Sequence, residues 1–109
     1  MTSGQFLAKE GILMKKNHEN MELLFKCIVA IDNVEDMECF LEDLCSMSEL
    51  EEMSRRIRAA QMLRDGYVYS EIAMQTGLST ATISRVNRCL KYGNDGYSKA
   101  LDAVKKMES

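Results

Sequence analysis

Proline and tryptophan are absent from this 109-residue sequence, and histidine occurs only once, as His18. Proline interrupts helices more strongly than any other residue, so its absence permits helices throughout the chain. The sequence is instead rich in residues that favour helix, including nine methionines. No segment has the clear alternating pattern of a strand. We therefore predict an all-α fold of six helices with short connections.

The sequence also lacks the motifs of metal sites, secretion and catalysis. The four cysteines are not spaced as CxxC or CxxxC, and one histidine cannot complete a zinc site with them, so we expect no metal. Free cysteines fit a reducing compartment. There is no charged-then-apolar leader and no apolar run of about 18 residues, so we expect a cytoplasmic protein without a membrane partner. No nucleophile–base pair and no Gly-rich phosphate loop is present, which predicts that the protein is not an enzyme. The cysteines are Cys27, Cys39, Cys45 and Cys89.

The net charge of −3 conceals an uneven distribution. Residues 1–53 carry four lysines and twelve acidic residues, a net −8, and residues 54–92 carry seven basic and two acidic residues, a net +5. Residues 93–109 are balanced, with three of each sign. Because a phosphate backbone responds to local charge, the basic segment is a candidate for contact with nucleic acid. A solvated surface without a partner is the alternative for such a charge run.

Helical periodicity begins at about residue 17. We expect residues 1–16 to form a flexible arm, part of which could be foreign to the natural chain, and residues 17–109 to form a single all-α domain. Asn33 is predicted to cap the second helix together with Asp36, and Ser48 with Glu51 forms a capping box that predicts the start of the third. Gly66 is placed to end that third helix. The last helix is predicted at about residues 95–107.

Residues 69–88 have the pattern of a helix-turn-helix. The crossing of its two helices needs a small residue, here Ala73, and the turn needs a residue that tolerates positive φ, here Gly77 four positions later. Apolar side chains must also fill the angle between the helices. The predicted core of the motif is Ile72, Ala73, Gly77, Leu78, Ile83 and Val86.

The second helix of the motif, predicted at residues 80–92, has a short-chained, polar and basic face without any acidic residue. Its first residues are small enough to let the backbone approach base edges, and its arginines can reach phosphate or guanine. Such a helix is typical of one that enters the major groove of double-stranded DNA. The residues predicted to bind DNA are Ser79, Thr80, Ala81, Thr82, Ser84, Arg85, Asn87 and Arg88.

Residues 76–97, TGLSTATISRVNRCLKYGNDGY, resemble the signature of the YerC/YecD group of Trp-repressor-like proteins. The upstream segments LEDLC at 41–45 and MLRDG at 62–66 are also similar to that group, so the resemblance covers about residues 20–105. It implies a six-helix Trp-repressor-like fold in which two chains intertwine as a homodimer. Such a dimer presents two recognition helices about 34 Å apart to an inverted repeat in DNA.

The Trp repressor binds tryptophan between two arginines, and the resemblance identifies Arg55 and Arg85 as the matching pair of a possible effector pocket. Where that protein has glycine after the second arginine, this sequence has Val86, and a serine three positions further on is replaced by Cys89. We expect Val86 to crowd the space of the indole, so no tryptophan co-repressor and no other cofactor is expected. Whether another small-molecule effector binds is left open.

Two functions from different classes fit these patterns. The first is a sequence-specific DNA-binding transcriptional regulator, acting as a dimeric repressor. The second is a helical protein–protein interaction module whose acidic first half meets a basic partner. The two differ in where the arginines lie. Arg85 and Arg88 exposed beside Thr80 and Ser84 favour DNA, whereas arginines buried against glutamates favour a structural role.

Overall fold

The computed structural model describes the backbone of residues 3–109 and the side chains of residues 10–109. These residues form six helices and no strand, which confirms the predicted all-α class. The chain divides into two compact units, Met1–Leu44 and Cys45–Ser109, here called unit 1 and unit 2. None of the described helices is long and apolar enough to cross a membrane. The helices are α1 Ser3–Ala30, α2 Val34–Leu44, α3 Met47–Arg64, α4 Tyr69–Thr76, α5 Thr80–Tyr92 and α6 Gly96–Glu108.

Unit 1 contains α1 and α2, and α1 begins much earlier than the sequence suggested. The segment predicted as a flexible arm, residues 1–16, is helical from Ser3 onward, and its first two residues lie outside the described residues. The helix-weakening residues in this segment are Gly4 and Gly11, and a cost of about 1 kcal/mol for each does not end a long helix. Residues 10–20 are all exposed, so this part of α1 has no buried face. The sequence therefore lacks the apolar periodicity there that would have predicted a helix. The two compact units divide after residue 44.

The start of α2 follows the predicted cap. The Asn33 side-chain oxygen accepts a hydrogen bond of 2.8 Å from the Asp36 backbone N–H, and its amide nitrogen donates to the Asp36 carboxylate at 2.8 Å. This satisfies an N–H group that has no partner inside the helix. No residue among 10–44 is buried, although Phe25 and Val29 are large and apolar.

Unit 2 begins with a capping box, two residues before the predicted one. The Ser46 hydroxyl accepts from the Glu49 N–H at 3.2 Å, and the Glu49 carboxylate accepts from the Ser46 N–H at 2.8 Å. The predicted box of Ser48 and Glu51 is therefore wrong. The sequence repeats the Ser-x-x-Glu spacing two residues later, and the earlier copy adds half a turn of helix. The hydrogen bond that the Glu49 carboxylate accepts from the Ser46 N–H lowers the pKa of that carboxyl group, and the Ser46 side chain lowers it further.

Helix α3 ends at Gly66 as predicted. Gly66 has φ of 90°, its N–H donates to the Leu63 carbonyl, and the Tyr67 N–H donates to the Met62 carbonyl, each at 3.1 Å. This pair of bonds is a Schellman motif, which needs a left-handed residue at the position of Gly66. The chain then turns directly into α4.

The core of unit 2 lies where α3, α4 and α5 pack together. Helix α6 packs against α3 and α5. Arg64, near the end of α3, donates a hydrogen bond of 2.6 Å to the Asp102 carboxylate on α6. This arrangement holds α5 from two sides and leaves its outer face to solvent. The clustered core residues are Ala59, Met62, Ile72, Leu78 and Ile83.

Candidate nucleic-acid interface

The turn between α4 and α5 depends on two residues. Gly77 ends α4 with φ of 74°, a left-handed conformation that side chains disfavour, and its N–H donates to the Ala73 carbonyl at 2.9 Å. Thr76 precedes it and is buried. The Thr76 hydroxyl donates to the Ile72 carbonyl at 2.7 Å and accepts from the Leu78 N–H at 3.2 Å. It therefore satisfies two backbone groups of the turn. Thr76 was not among the predicted site residues, although a hydroxyl residue directly before the turn glycine is a sequence feature that could have indicated it.

The structure buries most of the side chains predicted to form the core of the motif. Ile72 and Ile83 are fully buried, Val86 and Leu78 are buried, and Ala73 is half-buried against the core. Because apolar side chains come from both helices and from the turn, they fix α5 against α4. Residues 69–88 thus form a helix-turn-helix in which buried apolar side chains fix the position of α5.

The N-terminus of α5 is capped by Ser79. The Ser79 hydroxyl accepts from the Thr82 N–H at 3.1 Å and donates to the Thr82 hydroxyl at 3.0 Å. Thr82 is half-buried. These two members of the predicted DNA-binding set are therefore engaged in forming the helix, and their polar atoms already have partners.

The outer face of α5 is exposed and basic. Helix α5 contains no acidic residue from Thr80 to Tyr92. Neither Arg85 nor Arg88 forms an ion pair or hydrogen bond with any side chain that the structure describes. Both guanidinium groups are therefore available to an anionic partner. The exposed residues of the predicted set are Ser79, Thr80, Ala81, Ser84, Arg85 and Arg88.

Asn87 does not belong to this exposed face. It is half-buried, and its side-chain amide donates a hydrogen bond of 3.0 Å to the hydroxyl oxygen of Tyr69, the first residue of α4. The prediction that Asn87 is exposed is therefore wrong. Asn87 follows the buried Val86, and successive helical positions differ by about 100° around the axis, so it lies at the edge of the packed side.

Of the predicted effector pair, Arg85 lines a cavity of the described chain and Arg55 does not. Arg55 is exposed and forms an ion pair of 3.6 Å with Glu51 one turn earlier. The neighbouring Arg56 instead lines a cavity of about 200 Å³ together with Arg85. The sequence left the rotation of α3 undetermined, and one residue changes the direction of a side chain by about 100°. The other residues that line the cavity are Thr82, Val86, Cys89 and Tyr97.

This cavity has a cationic lining. Its charged residues, Arg56 and Arg85, are both basic, and the Arg56 Nε atom is buried without a hydrogen-bond partner among the described residues. A buried donor without a partner is costly, so an anion or water would be favoured there. Val86 forms part of the wall and is 2% exposed, so its branched side chain already fills space beside the two arginines.

Comparisons with known proteins agree with this architecture. Residues 19–105 match the sequence profile of the family described as Trp repressor protein. The chain is 44% identical over 95 residues to an uncharacterized protein, YerC, of Bacillus subtilis (strain 168), which covers 87% of this chain and 91% of the relative.

Two solved structures have the same fold. A TrpR-like protein from Eubacterium eligens superposes with a TM-score of 0.76 at 42% identity and covers 80% of this chain and 90% of its own. A candidate Trp repressor from Staphylococcus aureus gives a TM-score of 0.76 at 40% identity and covers 80% of this chain and 87% of its own. Because the profile spans most of the sequence and the helices superpose, this chain belongs to the Trp repressor family.

Proposed function

We propose that this protein is a sequence-specific DNA-binding regulator of transcription. In this proposal two copies act as a homodimer, each inserts α5 into the major groove, and the pair occupies an inverted repeat and represses by occupancy. A helix-turn-helix uses its second helix in this way, and family membership suggests a DNA-binding regulator.

The observation that carries the proposal is the outer face of α5. Arg85 and Arg88 are exposed beside Thr80 and Ser84, on a helix without acidic residues. Arginines that served only the fold would lie against carboxylates, and neither of these contacts a described one. The alternative function, a protein–protein interaction module, gains no support from this face.

The homodimer is supported by the exposed apolar side chains of unit 1. No described residue of that unit is buried, although Phe25 is 55% exposed and Val29 is 82% exposed. Monomeric proteins seldom leave several large apolar groups together in water. A second copy of the chain, which offers the same apolar helices, is the partner that the family suggests.

Tryptophan is not part of the proposal. Arg56 and Arg85 would suit the carboxylate of an amino acid, but the branched side chain of Val86 lies in the wall where the Trp repressor has glycine. We therefore expect specific DNA binding without tryptophan. An increase of more than tenfold in affinity on adding tryptophan would contradict this part of the proposal.

The test is selection from genomic DNA fragments at rising salt, followed by sequencing of the fragments that remain bound. Non-specific binding depends steeply on salt because it comes from counterion release, so it is lost first. Recovery of an inverted repeat at moderate salt would support the regulator and identify its site. Loss of all fragments together at low salt would contradict sequence-specific binding.

The variant Arg88→Ala tests the role of α5 directly. We expect its melting temperature to be nearly unchanged and its DNA affinity to fall, with the salt slope lowered by about one if Arg88 contacts phosphate. Arg55→Ala is the matched control, since it removes the same charge from an exposed site on α3. Unfolding of the Arg88→Ala protein, or equal loss of DNA affinity in both variants, would contradict the assignment.

A further inference from the structure

We infer that Tyr69 and Asn87 are a positioning pair, whose hydrogen bond fixes the angle of α5 against α4 and so controls sequence-specific binding without touching DNA. This inference rests on the proposed function, because it concerns how α5 is aimed at its site. Tyr69 was not among the predicted site residues, and Asn87 was predicted to contact DNA directly.

The bond joins the two helices of the motif far from their turn. Tyr69 is the first residue of α4 and Asn87 is the eighth of α5, so each lies seven residues from the turn end of its helix. At 1.5 Å per residue, this places the bond about 10 Å along each helix from the turn. The Asn87 amide donates to the Tyr69 oxygen at 3.0 Å in a half-buried position. The start of α4 is thus joined to the middle of α5 by this bond, and the Gly77 turn joins the other end of α4 to the start of α5.

The apolar core alone leaves the angle between the helices less well defined. Contacts among Ile72, Leu78 and Ile83 favour close approach of the helices, but apolar attraction is not directional. A hydrogen bond requires a narrow range of distance and angle. It is the one side-chain hydrogen bond between α4 and α5 in the part of the chain that the structure describes. Arg88 is next to Asn87, so a rotation of α5 that broke the bond would displace an exposed arginine.

The same geometry argues against base contact by Asn87. An asparagine that reads adenine uses its amide nitrogen and its oxygen together, both directed into the groove. Here the amide nitrogen is directed to Tyr69 and the side chain is half-buried. Asn87 would therefore act through α5 and not on a base.

The experiment compares the wild-type protein with Tyr69→Phe, Asn87→Ala and the double variant. Each is titrated with a selected site and with an unrelated duplex of equal length, and its melting temperature is recorded. Tyr69→Phe removes one oxygen and keeps the ring. Tyr67→Phe is the control, since Tyr67 lies two residues earlier and forms no hydrogen bond through its hydroxyl with a described residue.

We expect each single variant to lose roughly three- to tenfold in affinity for the selected site, the range of one hydrogen bond. Affinity for the unrelated duplex and the salt slope should stay unchanged. The double variant should bind no worse than the weaker single variant, because both changes remove the same bond.

Three results would overturn the inference. If Asn87→Ala loses affinity and Tyr69→Phe does not, Asn87 contacts a base. If the affinities for both duplexes fall equally along with the melting temperature, the pair only stabilises the fold. If both variants bind like the wild type, the bond has no role. Failure of the proposed function looks different, because the wild-type protein itself would then prefer no site, and this inference would fall with it.

Discussion

The two units of this protein are built from similar amphipathic helices, yet they differ in what they bury. Unit 2 buries seven apolar residues and Thr76, all between Ala59 and Val86. In unit 1 no described residue is buried, although its helices carry large apolar side chains. Helices in water are held mainly by the packing of an apolar face. Unit 2 therefore contains a core of its own, and unit 1 depends on burial that its own residues do not provide.

The two units also differ in net charge. Residues 1–44 carry four lysines and nine acidic residues, a net −5, and residues 45–109 carry ten basic and eight acidic residues, a net +2. An acidic surface repels DNA and a basic surface attracts it. Unit 2 thus has both the self-contained core and the net positive charge that the proposed function requires, and the described residues of unit 1 have neither.

The largest effect is expected where the core of unit 2 is disrupted. Ile83 is fully buried between the helices of the motif, so Ile83→Ala should lower the free energy of unfolding by about 2–4 kcal/mol. Denaturant titration measures this change. Met74→Ala, at an apolar residue of α4 that is 84% exposed, is the control and should change stability little. Equal losses in the two variants would mean that the core is not where the structure places it.

A change in unit 1 should act through association between chains. Phe25 is large and 55% exposed, and its burial in a dimer would contribute about 1.5–3 kcal/mol. Phe25→Ser should therefore raise the dimer dissociation constant by roughly ten- to a hundredfold, as measured by sedimentation equilibrium.

The control for this prediction is Met74→Ser, which removes an exposed apolar side chain from unit 2 and should leave the dissociation constant unchanged. A melting temperature that depends on protein concentration in the wild type, and less so in Phe25→Ser, is the second expected result. A wild-type protein that stays monomeric at high concentration would contradict the role given to unit 1.

The sequence was most informative where local chemistry decides the structure. Positive φ at Gly66 and Gly77 and the cap at Asn33 follow from single residues and their neighbours, and the structure has each of them. The resemblance to the Trp-repressor-like group also implied the six-helix fold that the structure has. These features need no knowledge of how one helix is rotated against another.

Features that depend on helix rotation could not be predicted. Arg55 and Arg56 are neighbours, but of the two only Arg56 lines the cavity that Arg85 also lines, on a helix that buries Ala59, Ala60 and Met62. For the same reason the apolar residue Ile57, on the same helix, is 49% exposed. Asn87 was assigned to the outer face since only its polarity could be read from the sequence. Its partner Tyr69 lies 18 residues away.

Replacing glycine by alanine should raise thermal stability at one position of unit 1 and lower it at one position of unit 2. Gly77 has φ of 74° and open space around its Cα, so Gly77→Ala should destabilise unit 2 by about 1–2 kcal/mol through backbone strain alone. Gly11 lies inside α1 with open space around it, and Gly11→Ala should stabilise that helix by about 0.5–1 kcal/mol. Circular dichroism during thermal unfolding compares the two. The same sign for both variants would contradict the helix assigned around residue 11 or the turn at residue 77.

The smallest expected effect is a pH dependence confined to unit 2. The hydrogen bond from Arg64 lowers the pKa of the Asp102 carboxyl group below its ordinary value of 3.8, against a smaller opposing effect of desolvation. The nearby positive charges of Arg64, Lys105 and Lys106 also lower it. Because the pKa of Asp102 is lower in the folded state, its bond with Arg64 stabilises unit 2 fully when the pH is above the ordinary pKa of an aspartate. That stabilisation is lost as the pH falls through the lowered pKa of the folded state.

Asp102→Asn should therefore lower the melting temperature slightly at neutral pH and flatten its fall on acidification to about pH 3. Asp43→Asn is the matched control in unit 1, because Asp43 is an exposed carboxylate that forms no ion pair with a described residue. Its profile should follow the wild type. If Asp102→Asn also followed the wild type, the Arg64–Asp102 pair would contribute nothing to holding α6. If Asp43→Asn flattened the profile instead, the acid-sensitive contacts would lie in unit 1, and the contrast between the two units would have to be reversed.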